Sequence, residues 1–154
     1  MVRMSDIQIA YDSGDLEGLI AGMTPEQDLL LKMAVVRQSL YYVEQILPSE
    51  EDDDGERGCL NIARRWLADP TPENAQDAVW YVGADARDGG LRYHDYAPIF
   101  VEPATVAGAD DAKQAIHFAA TTIPAGGEQE ARQWQLDAAL AILQGREVPP
   151  LWID

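Results

Sequence analysis

The chain has one cysteine, Cys59, among its 154 residues. An intramolecular disulfide is therefore excluded, and cysteine usage gives no sign of an oxidising compartment. Basic residues are scarce as well: 11 Lys and Arg stand against 27 Asp and Glu, a formal net charge of −16. That balance argues against gripping DNA or RNA phosphates through a basic face. It also argues against docking on anionic lipid. Apolar runs are too short to span a bilayer. The N-terminus, Met1-Val2-Arg3-Met4-Ser5-Asp6, carries one base, then an acid, and no apolar stretch follows. No signal peptide is expected on that pattern, and the cytoplasm is the expected compartment. Alternating strand patterns are also missing, apart from a weak candidate over residues 2–9. There is no Gly-rich phosphate loop, no Cys/His zinc spacing and no nucleophile motif. No catalytic residue, metal ligand or cofactor is assigned on this reading.

What remains is 47% apolar, enough for a core without a disulfide or metal staple. The pattern is helical throughout. Thr24-Pro25-Glu26-Gln27 joins a capping residue, a proline at the first helical position and a glutamine that closes a capping box. Leu29, Met33, Val36, Leu40, Val43 and Leu47 then step by three and four, and Pro48 follows. A helix over about 25–47 is predicted, long enough to be a central strut. A second is predicted over about 57–68, with Leu60, Ala63 and Leu67 inward and Arg64 and Arg65 outward. Thr71-Pro72-Glu73-Asn74 repeats the helix-start pattern. The helix after it places Ala75, Ala78, Val79, Val82 and Ala86 inward and stops at Gly89-Gly90. Pro98 and Pro103 argue against one long helix and for short helical turns and loop over 91–108. Asp110 or Asp111 caps a helix over about 111–122, with Ala112, Ala115, Ile116 and Ala119 inward. A last helix over about 128–144 carries Trp134, Leu136, Ala138, Leu140, Ala141 and Leu143, with Gly145 beyond its end. The expected fold is an all-α single domain over 1–154, a bundle or stacked hairpins of about five to seven helices. Residues 1–23 form a less defined N-terminal segment, 49–56 an acidic loop and 146–154 an extended tail docked on the body. Trp66, Trp80, Trp134 and Trp152 read as core and docking anchors.

Two clusters carry possible function. Glu50, Glu51, Asp52, Asp53, Asp54 and Glu56 surround Gly55, so six of seven consecutive positions are acidic. An EF-hand register starting at Glu50 fails, because its twelfth position is Asn61, which lacks the bidentate carboxylate. The stretch reads as a solvated loop or as a docking surface that steers a basic partner. The second cluster spans the end of one helix and the segment after it: Asp85, Asp88, Arg92, Tyr93, His94, Asp95 and Tyr96. It reads as a polar network, as short-range partner contacts, or as a metal or general-base site built on Asp85, Asp88, His94 and Asp95. His117, between Ile116 and Phe118, reads as a buried or half-buried histidine, and Cys59 as a buried thiol.

Three segments taken together carry a family resemblance. They are Ala63-Arg64-Arg65-Trp66-Leu67, the stretch from Ala78-Val79-Trp80 to Asp85-Ala86-Arg87-Asp88, and Glu130-Ala131-Arg132-Gln133-Trp134-Gln135-Leu136. Over about 57–145 the chain resembles the all-α bacterial immunity-protein family numbered five and its relatives. That resemblance implies a cytoplasmic protein that neutralises a toxin by binding it. The expected partner is a basic protein toxin, such as a nuclease, or another basic protein. Neither nucleic acid nor membrane is an expected direct partner. The alternatives are a metal-binding protein or enzyme using the second cluster, and a phage-type nucleic-acid mimic with carboxylates spaced like phosphates.

Overall fold

The computed structural model describes the backbone of residues 3–46, 54–88 and 97–151, and their side chains except at 54–57, 83–88 and 97–101. The helices are α1 (Met4–Asp12), α2 (Leu16–Ala21), α3 (Pro25–Ile46), α4 (Asp54–Ala68), α5 (Pro72–Asp88), α6 (Ala97–Ala107), α7 (Ala112–Ala119) and α8 (Glu128–Leu143). A 3-10 turn, Ala120–Thr122, extends α7. Among the described residues there is no strand, so the fold is all-α as the patterning implies.

The 22-residue α3 is the strut. Its start is a reciprocal capping box. The Thr24 N–H donates to Gln27 Oε1 at 3.0 Å, and the Gln27 N–H donates to Thr24 Oγ1 at 3.1 Å. These two bonds satisfy backbone donors that a helix N-terminus leaves without partners. Val36, Leu40 and Val43 of the expected stripe are buried. So are Leu31, Lys32, Ala34, Val35, Gln38 and Ser39, because α4, α6, α7 and α8 pack around the helix. A helix covered on several sides buries polar positions that a one-stripe reading leaves outside.

Helix α4 buries Cys59, Leu60, Ala63 and Trp66 and turns Arg64 and Arg65 outward, where Arg64 pairs with Glu44. It begins at Asp54, earlier than expected. Asp54 and Glu56 therefore belong to a helical first turn and not to the acidic loop. Acidic residues are favoured there by the partial positive charge of the helix N-terminus. Helix α5 opens as its sequence predicts, with the Asn74 N–H donating to Thr71 Oγ1 at 3.1 Å.

Three expectations are corrected. The weak strand candidate is helix α1, which buries Ile7 and leads through α2, with Leu16 and Leu19 buried, against α8. Tyr11 Oη donates to Asp137 Oδ1 at 2.6 Å and fastens α1 to α8. The segment expected as short helical turns and loop contains one continuous 11-residue helix, α6, with Pro103 inside it. Pro98 sits in the first turn, where its missing N–H breaks no helical bond. Pro103 forfeits one bond, at a cost of about 3 kcal/mol. Ala104, Val106 and Ala107 are fully buried as α6 packs on α3, α4, α5 and α7. A buried valine alone contributes about 1.5–3 kcal/mol, so tertiary burial outweighs the local preference. Finally, Val79 and Trp80 are exposed on α5 and His117 is exposed on α7.

Beyond α6 the order of elements follows the expected layout. Asp111 caps α7 by accepting from the Gln114 N–H at 2.8 Å. Helix α8 ends in a Schellman turn: Gly145 adopts φ +70°, its N–H donates to the Ile142 carbonyl, and the Arg146 N–H donates to the Ala141 carbonyl. The tail then folds back onto α8. The Trp134 indole N–H is shared between the carbonyls of Pro149, at 3.3 Å, and Pro150, at 3.2 Å. Trp152 lies outside the described residues.

Candidate functional site

The N-terminus of α3, the α4–α5 turn and the α6–α7 turn meet around a cleft of about 980 Å³. Each wall follows from a local sequence feature. Thr24 and Pro25 start α3, Pro70, Thr71 and Pro72 turn α4 into α5, and Gly108, Ala109 and Asp110 link α6 to α7. Gly108 permits close approach, since a Cβ there would press on the Val79 side chain. Asp28 Oδ1 accepts from the Ala112 N–H at 2.9 Å, which anchors α7 to α3 beside the opening.

Lys32 forms the floor and is only 5% exposed. Its Nζ donates to the Ala109 carbonyl at 2.6 Å and lies 4.3 Å from the centroid of the Trp66 ring. Trp66 is 1% exposed. The ammonium is thus held by one carbonyl and one aromatic face. Burial pulls its pKa down from 10.5 to about 8, opposed by the negative charges of Asp110, Asp28 and Asp111. The arrangement puts an amine that readily gives up its proton inside a partly apolar cleft.

The outer face of α5 adjoins this cleft, because Ala75, Gln76 and Val79 line it. On that face Glu73, Gln76, Asp77 and Trp80 are all exposed. Their spacing of three, four and seven residues sets them on one side of the helix. Trp80 is 66% exposed, an unusual position for so large an apolar ring. A smaller groove of about 530 Å³ lies between α2, α7 and α8, where Lys113, His117 and Arg132 are interspersed with Glu17 and Asp111.

Glu50, Glu51, Asp52, Asp53, Arg92, Tyr93, His94, Asp95 and Tyr96 lie outside the described residues. Asp54 and Glu56 stand in the first turn of α4, and Asp85 and Asp88 in the last turn of α5. Among the described residues, no three or more His, Cys, Asp or Glu side chains are grouped to hold a metal ion. No helix among them is long and apolar enough to cross a membrane. Sequence reasoning missed the Lys32 cleft and the exposed face of Trp80. For Lys32, the usable signal was a second apolar row through Leu31 and Val35, which implies that α3 is covered on that side too.

No family model, no curated protein and no solved structure matches the chain.

Proposed function

We propose that the chain is a cytoplasmic binding protein that occludes a basic protein, in the manner of an immunity protein neutralising a bacterial toxin. The observation that carries this reading is Trp80, exposed on α5 beside Glu73 and Asp77. Tryptophan is enriched among the few residues that dominate protein interfaces. Its ring face attracts lysine and arginine, and the flanking carboxylates attract the same groups. The net charge of −16 supplies the longer-range attraction that speeds encounter with a positive partner. Glu50 to Glu56 act in steering, and the Asp85–Tyr96 region supplies shorter-range contacts.

The test uses the product of the neighbouring reading frame as the candidate toxin, with association and dissociation rates measured at low and high salt. Trp80→Ala should weaken binding by about 30-fold or more, mainly through faster dissociation. Asp77→Asn should slow association at low salt and have little effect at high salt. An unchanged affinity for Trp80→Ala rejects the α5 face, and salt-independent association rejects electrostatic steering.

A further inference from the structure

Occlusion of a partner makes no use of Lys32. The chain contains only two lysines, and they occupy opposite environments. Lys113 is exposed on α7, whereas Lys32 is buried at the floor of the cleft between α3, α4, α5 and the α6–α7 turn. A lysine ammonium ordinarily stays in water because its desolvation is costly. Among the described residues, Lys32 has one hydrogen-bond acceptor, the Ala109 carbonyl, and the Trp66 face. Met23, Leu29, Trp66, Ala75 and Val79 give the cleft apolar wall.

We propose that this cleft captures small, uncharged, apolar aldehydes as an imine on Lys32. The neutral Nζ attacks the carbonyl carbon and forms a C–N bond, while the carbonyl oxygen takes up a proton. The resulting carbinolamine loses its hydroxyl as water and leaves a C=N bond; one aldehyde and one amine give one imine and one water. The groups facing Lys32 suit each stage. Asp28, from its own helix, and Asp110 and Asp111, from the α6–α7 turn, are the carboxylates that act on it. Their charge favours the cationic amine and iminium, while solvent water takes the proton the ammonium must release and returns one to the departing oxygen. Helix α4 contributes the Trp66 indole, which stabilises the cationic iminium as it does the ammonium. The same carboxylates disfavour anionic carbonyl compounds, which limits the ligand class to neutral ones. Burial makes the attacking form available. At about pH 7.5, a lysine with a pKa of about 8 is roughly one-quarter neutral, against about one part in a thousand for an ordinary lysine.

The experiment treats the full chain with butanal and sodium cyanoborohydride at about pH 7.5. The reductant turns any imine into a stable secondary amine, and peptide mapping by mass spectrometry follows labelling at Lys32, Lys113 and the N-terminus. Lys32 should label at least tenfold faster than Lys113, and the preference should vanish in urea. Pyruvate, an anionic carbonyl compound, should show a smaller preference for Lys32 than butanal. Lys32→Arg should remove the fast phase, and the parent result stands whether or not that variant folds. Equal labelling of the two lysines in the folded protein, or protection of Lys32, overturns the proposal. A preference that survives in urea overturns it equally. The labelling needs no partner protein, so failure here is separable from failure of the binding reading.

Discussion

Lys32 should give the protein a stability that rises with pH through mildly alkaline solution. Its pKa is about 8 in the folded chain against an ordinary value of 10.5. Between those values the unfolded chain binds more protons than the folded one, so stability increases as pH rises. At about pH 7 and below both states hold the proton almost completely and the dependence disappears. Across the whole interval the gain is about 3 kcal/mol, at about 1.4 kcal/mol per pH unit. From pH 7 to 9 only part of it is realised, about 1 kcal/mol. Tyr42, raised by burial, and Tyr11, raised chiefly by its hydrogen bond to Asp137, act in the opposite direction. Each keeps its proton longer in the folded state, so each lowers stability as pH climbs past 10. The interval from 7 to 9 therefore isolates the lysine from the tyrosines. The perturbation is Lys32→Met, which keeps the aliphatic stem and removes the charge. The assay is urea unfolding followed by tryptophan fluorescence at pH 7, 8 and 9, with the slope against urea held as a check on two-state behaviour. The parent protein should gain about 1 kcal/mol over that range and the variant should gain none from this source. Parallel rises in the two proteins would refute the assignment to Lys32.

Other substitutions test the packing that positions the cleft. Gln38 and Gln135 are both buried; Gln135 Nε2 donates to Gln38 Oε1 at 2.9 Å, and Gln38 Nε2 donates to the Ala131 carbonyl at 3.2 Å. Gln135→Leu leaves a buried acceptor without that donor and should cost about 1–3 kcal/mol in urea unfolding, with the Gln38→Leu/Gln135→Leu pair costing less than the sum of the singles. Thr24→Ala breaks the capping box of α3 and should lower stability by about 1 kcal/mol, read from the urea midpoint. Gly58→Ala puts a methyl group against the Tyr81 hydroxyl where α4 meets α5. It should destabilise by about 1–3 kcal/mol, and the midpoint should recover in part when Tyr81→Phe is added.

Helix α3, its capping box and the ends of α7 and α8 were legible in the sequence because their signals are local. A threonine hydroxyl, an aspartate cap or a glycine at positive φ acts within a few residues, and the chain needs no distant partner to express it. Helix α6 was illegible for the converse reason. Its prolines report only the local cost, whereas the burial of Ala104, Val106 and Ala107 depends on four other helices being in place.

The same distinction separates the two surfaces offered as functional. Trp80 was misread by residue type. Counting its position against Ala78 places the two about 200° apart around α5, so burying Ala78 turns Trp80 to the other side. The spacing alone sets its exposure, against the general preference of tryptophan for buried positions. Lys32 is a different case. It lies one residue before Met33 on the expected stripe, where an isolated amphipathic helix would leave a lysine partly in water. Its burial is created by Trp66, 34 positions further along the sequence, and by the Ala109 carbonyl, 77 positions away. No window around Lys32 contains either group. A lysine that sequence spacing assigns to the helix surface becomes a poised amine only through the assembly of the cleft. Unfolding should therefore abolish its reactivity at the same urea concentration at which the α3–α4 contact is lost.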